Sequence, residues 1–90
     1  METEEARMKR MVMRSWRRGT KEMDLVLGPF ADANLGQMTE AELGIYDALL
    51  AENDQDLMAW LLGQMAPPDR FRPLLAQLAA FAETRLSQRN

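Results

Sequence analysis

Apolar positions recur along this chain at steps of three and four with polar residues between them, which is the signature of short amphipathic helices. Met8, Met11, Val12, Ser15 and Trp16 share one face of a first helix running from about Thr3 to Arg17. Glu4 and Glu5 fall in its first turn and Arg14 and Arg17 in its last, so each sign complements the helix dipole. Met23, Val26, Leu27 and Phe30 form the apolar face of a second helix from about Thr20 to Ala31, with Leu25 beside it. Gly28-Pro29 predicts a kink or an early end there, because proline lacks a backbone donor and clashes with the preceding turn. Asp32 to Gln37 then read as a loop.

Thr39-Glu40-Ala41-Glu42 is a capping box, with Met38 and Leu43 placed for a hydrophobic staple. It starts a third helix whose stripe is Leu43, Tyr46, Leu49 and Leu50, widened by Ile45, and which ends near Glu52. Asn53 or Asp54 caps a fourth helix that carries Leu57, Trp60 and Leu61 and closes near Gly63. After the stiff Ala66-Pro67-Pro68-Asp69 connector, a last helix runs from about Arg70 to Ser87. It has Leu75, Leu78, Ala79, Ala82 and Leu86 on one face, and Pro73 near its first turn, where a missing donor costs least. There is no strand-like alternation and no internal repeat. The expectation is one all-α domain over residues 1–90, a compact bundle of about five short helices.

Composition narrows the function. At 47% hydrophobic and 28% charged residues, the chain holds a single core. No apolar run approaches the roughly 18 to 20 residues of a membrane span, and no apolar segment of signal-peptide type opens the chain. Glu2, Glu4 and Glu5 argue against a transit peptide, so a cytoplasmic, bacterial protein is expected. The chain contains neither histidine nor cysteine. Triad catalysis, thiolate chemistry, imidazole switching and histidine or cysteine metal sites are thereby removed, and neither an enzyme nor a metal protein is expected. The eight methionines read mainly as core filler, and Trp16 and Trp60 as core rather than stacking platforms.

Charge is unevenly distributed. Seven Lys or Arg residues lie between Arg7 and Lys21, and none follows until Arg70. Seven acidic residues and no basic one lie between Asp32 and Asp56. Arg7, Arg10, Arg14 and Arg17 line a face at steps of three or four, which reads as a solvated face. The acidic total, net −3, and the absence of a recognition-helix module set nucleic acid aside. Asp54 and Asp56, two apart at a helix start, point different ways and serve more simply as cap and first-turn charge than as a catalytic pair. Where the basic block ends, Arg14-Ser15-Trp16-Arg17-Arg18-Gly19-Thr20-Lys21-Glu22-Met23-Asp24 turns a corner. Gly19 marks a helix end that needs positive φ, and the corner can present a guanidinium and a carboxylate side by side, as a recognition site would.

Those residues also carry a resemblance. Arg18-Gly19-Thr20-Lys21-Glu22 matches an R-G-x-x-E motif. Downstream, Phe30, Met38-Thr39, Tyr46-Asp47-Ala48-Leu49-Leu50 and Asp54-Gln55-Asp56-Leu57-Met58-Ala59-Trp60 follow in the expected order. From about Arg7 to Phe81 the chain resembles the succinate dehydrogenase assembly factor family, small proteins that promote covalent flavin attachment. Thr20-Lys21 departs from the more apolar residues of many relatives and leaves the motif intact. The resemblance implies a five-helix partner of the flavoprotein subunit of succinate dehydrogenase, with the fumarate reductase flavoprotein as a second client. It also implies a functional corner of Arg18, Gly19 and Glu22 with Arg14, Arg17 and Asp24 as neighbours. FAD would belong to the client; the chain has no Gly-rich phosphate loop and is expected to hold no cofactor firmly and to be a monomer in isolation. A helical interaction module of antitoxin-like or regulatory type is the alternative.

Overall fold

Five α-helices and two short 3-10 turns make up the computed structural model, which describes residues 2–87, with side chains described as far as residue 84. The Leu86 side chain, assigned above to the last apolar face, lies outside that range. Helix α1 spans Glu4–Trp16, α2 Lys21–Asn34, α3 Glu40–Leu50, α4 Asp54–Leu61 and α5 Arg72–Ser87, with 3-10 turns at Leu35–Gln37 and Asp69–Phe71. Side chains cap four of these starts. Thr3 accepts from the Ala6 amide, Thr20 from Met23 and Asn53 from Gln55, each filling one orphan donor. At Thr39 the capping box closes in both directions, Glu42 N to Thr39 Oγ1 at 3.2 Å and Thr39 N to Glu42 Oε1 at 2.8 Å. Asn53, and not Asp54, is therefore the cap of α4.

The core is contiguous and draws on every helix: Met11 from α1, Leu27 and Phe30 from α2, Tyr46 and Leu49 from α3, Leu57 from α4 and Leu78 from α5 are all buried. Phe30 stacks on Tyr46 at 6.0 Å between ring centroids and meets Phe81 edge-on at 5.5 Å. Phe71 and Leu74, not assigned to the apolar face of the last helix above, are buried, whereas Ala79 is exposed. Met11 and Met23 are wholly enclosed and Met8, Met38 and Met58 pack against the core, but Met13 and Met65 face solvent.

Three expectations are corrected. Helix α2 does not end at Gly28-Pro29 but continues to Asn34, and the expected loop at Asp32 to Gln37 is helical throughout, α and then 3-10. Burial of Phe30, Ala31 and Leu35 beyond the proline holds this segment in place and outweighs the lost backbone bond. Gly28 has a different purpose from breaking the helix. A Cβ built there would lie 2.3–2.6 Å from atoms of the Trp16 indole, so only glycine lets α1 and α2 approach as they do. Trp16, read above as core, remains 39% exposed; it lies across Gly28 at the rim, with its indole N–H 3.4 Å from Asp32 Oδ1.

The third correction concerns the arginine row, of which only the Arg17 side chain is left solvated and without a partner among the described residues. Arg7 donates to Glu40, Arg10 forks both oxygens of Asp47 at 2.8 Å, and Arg14 Nη2 donates to the Leu50 carbonyl at 3.0 Å. The partners ascend in the same order as the arginines, so α1 and α3 run in the same direction along a charged seam. Arg10 also holds Glu2. Its hydrogen bonds lower the Asp47 and Glu2 carboxyls below their usual range and raise its own pKa. Behind the seam, Tyr46 Oη and Ser15 Oγ lie 2.6 Å apart, both wholly buried, and Ser15 Oγ also donates to the Met11 carbonyl at 2.8 Å. Burial pushes the Tyr46 hydroxyl up to about 12 against the opposing pull of Ser15.

Two pH dependences follow from these shifts. A depressed Asp47 contributes stability that is present above its ordinary value and lost as pH falls through the lowered one. The difference between wild type and Asp47→Asn in urea unfolding should therefore be about 0.5–1 kcal/mol above pH ~4 for a pair this exposed, and should close as the solution is acidified further. Tyr46 has the opposite sign: its contribution is complete below about pH 10 and lost as pH rises through 12. Tyr46→Phe should remove that alkaline loss while costing about 1 kcal/mol at neutral pH for the missing hydrogen bond. An acid limb unchanged by Asp47→Asn, or an alkaline limb unchanged by Tyr46→Phe, would sink the respective assignment.

Candidate functional site

The corner sits where α1 stops. The Arg17 amide caps α1 on the Arg14 carbonyl at 3.4 Å, and Thr20 opens α2 three residues later. Between them Gly19 takes φ +107°, a region closed to L side chains without strain. Gly19 is thus a link residue and not the helix-capping glycine expected above. Nothing crowds it; the nearest neighbour of a built Cβ would be Asp54 Oδ2 at 3.9 Å. The constraint is conformational and not spatial.

Arg18 points inward. Its side chain is only 8% exposed. Nε and Nη2 meet Asp54 Oδ1 at 2.8 and 2.7 Å, Nη1 donates to the Leu50 carbonyl at 2.5 Å, and Nη2 to the Glu52 carbonyl at 2.9 Å. The Leu50 carbonyl is an orphan of the α3 C-terminus, that of Glu52 lies just beyond it, and α3 has no basic residue in its own last turn. Arg14 and Arg18 supply the missing cations from another helix, where the negative end of the dipole favours them. The Arg18 amide in turn donates to Asp24 Oδ1 at 2.6 Å, tying the link to the first turn of α2.

The six residues singled out in the sequence therefore divide. Arg18 and Asp24 are half-buried and committed to each other and to the α3–α4 link, whereas Arg14, Arg17, Gly19 and Glu22 are exposed. The Glu22 side chain has no ion-pair or hydrogen-bond partner among the described residues and stands in the first turn of α2, on the dipole's favourable end. The expected side-by-side guanidinium and carboxylate is not formed by Arg18 and Glu22. The guanidiniums left at the surface here are those of Arg14 and Arg17, which with Arg18 line one side of an open depression whose other side is the stretch Leu50 to Asp54. Asp54, assigned above to helix-start duty, is the residue the sequence reading missed. The available signal was the base-free stretch from Asp32 to Asp56, whose acids can find ionic partners only far along the chain. Among the described residues no cluster of three or more His, Cys, Asp or Glu is arranged to hold a metal ion, and no helix is long and apolar enough to cross a membrane.

Comparison with known proteins bears on this corner directly. Residues 9–82 match the family model described as flavinator of succinate dehydrogenase. The mitochondrial succinate dehydrogenase assembly factor 2 of Dictyostelium discoideum is 36% identical over 70 residues, covering 78% of this chain and 50% of that protein. The FAD assembly factor SdhE of Acetobacter pasteurianus is 35% identical over 74 residues, 81% of this chain and 68% of that one. The factor of the same name from Legionella pneumophila, strain Lens, is 45% identical over 51 residues, 57% of this chain and 65% of its own length. The chain spans about half the length of the mitochondrial relatives it matches.

The division of the corner predicts an order of stabilities. Arg18→Ala leaves a mostly buried carboxylate and the Glu52 carbonyl without their partner, while Leu50 keeps Arg14, and should cost about 2–3 kcal/mol. Gly19→Ala should cost roughly 1–2 kcal/mol from backbone strain alone. Glu22→Ala should stay within about 1 kcal/mol of wild type. Urea unfolding of the three variants tests this; an Arg18→Ala protein as stable as wild type would show that the inward pairing contributes nothing.

Proposed function

The chain belongs to the family of succinate dehydrogenase flavinators, and on that footing we propose that it is an assembly factor and not an enzyme. It acts in the cytoplasm, binds the flavoprotein subunit of succinate dehydrogenase and promotes covalent attachment of FAD to it, holding no FAD firmly itself. The observation that carries this reading is the span of the family match, residues 9–82, which takes in the whole corner and both of the links that Arg18 joins.

The chemistry of the chain fits a helper. Without histidine or cysteine it has no strong nucleophile or imidazole base to contribute. The client holds both reactants, its own histidine and the flavin, so what remains to be supplied is arrangement. Orientation of bound reactants is worth several kcal/mol of barrier in general, about 7–11 kcal/mol in the best intramolecular cases. A rigid corner with an exposed carboxylate, Glu22, beside an exposed glycine is suited to docking closely on the flavin domain and steadying a mobile segment there. An antitoxin-like role finds no comparable support.

Co-expression with a succinate dehydrogenase flavoprotein subunit, in cells lacking their own factor, tests the proposal. Covalent flavin fluorescence of the denatured subunit should appear with wild type and be lost with Glu22→Ala, although that variant folds. A soluble client that stays unflavinylated beside folded wild-type protein would overturn the assembly role. Fluorescence undiminished in Glu22→Ala would remove Glu22 from the docking corner.

A further inference from the structure

The ion pairs of the basic block are not evenly used. Arg7, Arg10 and Arg18 each meet a carboxylate, at Glu40, Asp47 and Asp54. The Arg14 side chain has one carbonyl contact, and the Arg17 side chain has no hydrogen-bond or ion-pair partner among the described residues. Both lie at the rim of the depression between the α1–α2 and α3–α4 links, and the residue that closes its floor is Arg18. Two guanidiniums without carboxylates thus face solvent on a chain whose net charge is −3, at the place where the two links are bolted together.

We propose that Arg18 and Asp54 are positioning residues that fuse the two links into one composite docking surface, and that Arg17, with Arg14 beside it, receives an acidic side chain of the flavoprotein in the depression between them. The inference rests on the assembly reading above and extends the site beyond the R-G-x-x-E corner to residues 50–54. Its geometric basis is the number of bonds that converge on one guanidinium. Arg18 grips Asp54 and the carbonyls of Leu50 and Glu52 from one link, while its own amide is held by Asp24 of α2. Neither link can shift against the other without breaking several of these bonds together. Arg17, immediately before Arg18, has its backbone fixed by the same latch while its side chain stays free to bind. A carboxylate is the complementary group: two exposed guanidiniums offer it forked, charge-assisted hydrogen bonds, and Glu52 and Asp54 at the far wall repel one placed off-centre.

Binding of the purified, FAD-containing flavoprotein subunit provides the test, with wild type, Arg17→Ala, Arg17→Lys, Asp54→Asn and the Arg17→Ala/Asp54→Asn double variant. Arg17→Ala should weaken binding about fivefold with an unchanged melting temperature, and Arg17→Lys should recover most of it, since a rim charge acts through attraction and not through the fold. Asp54→Asn should weaken binding about tenfold at a temperature where its circular dichroism equals that of wild type. Adding Arg17→Ala to Asp54→Asn should then cost less than about twofold more, because the surface Arg17 belongs to is already displaced. Full affinity in Arg17→Ala would overturn the depression as a docking site. Full affinity in folded Asp54→Asn, or losses that simply multiply in the double variant, would reduce the latch to a stabilising contact. A wild-type protein that fails to bind the subunit at all is read before any variant, and overturns the assembly reading together with this one.

Discussion

The seam between α1 and α3 is the constraint on which the rest of the molecule depends. Arginines at positions 7, 10, 14 and 18 meet Glu40, Asp47, the Leu50 carbonyl and Asp54 in ascending order. Exposed ion pairs contribute little individually, and the outer members of this row, at Arg7 and Arg10, are of that kind. Their combined effect is register: each fixes the same sliding coordinate of α1 along α3. Burial along the row is uneven: the Arg7 and Arg10 side chains are 23% and 35% exposed and Arg14 is exposed, whereas Arg18 is only 8% exposed. The inner end, where the dielectric is lowest and carbonyls as well as a carboxylate are satisfied, fixes the geometry most firmly.

The burial of Arg18 beside an exposed Arg17 shows how one short motif can be both interior and surface. Adjacent residues past a helix end diverge, so Arg18 can turn into the molecule while Arg17 faces out and Gly19, at φ +107°, redirects the chain toward the Thr20 cap. Glu22 then stands in the first turn of α2 with its direction set by a helix that is itself anchored through Met23 and Leu27. In the proposed docking role, a carboxylate held this way would lose little freedom on binding, the usual benefit of a preorganised surface. The motif reads as a unit in sequence because its interior half fixes the position of its exposed half.

Much of this was legible in the chain. The capping box at Thr39, the apolar face of α3 and that of α1 short of Trp16 follow from local chemistry and appear in the structure as expected, and α1 and α2 start within a residue of Thr3 and Thr20. What was not legible was long-range. The loop expected at Asp32 to Gln37 is helical because Leu35 is buried, a tertiary fact that outweighs Pro29. Spacing placed Arg7, Arg10 and Arg14 on one face but could not say that the acids of α3 would cover it. Arg18 was seen as part of a corner but not as turned inward, since the direction of a side chain just past a helix end depends on what lies opposite. Asp54 stayed hidden because its partner is 36 residues away.

The tight approach of α1 to α2 at Gly28 lies at the same end as the latch, and the two are linked. Trp16 rests on Gly28 with no room for a Cβ between them, so the final turn of α1 is pressed against the middle of α2. Arg17 and Arg18 follow directly, which means that the indole contact on one side and the Asp54 grip on the other clamp a single turn of chain. An apolar clamp resists separation of α1 from α2; the ionic one resists sliding of the α1–α2 link against the α3–α4 link. With both in place the corner is braced against separation and against sliding, and that bracing is what the proposed helper role draws on.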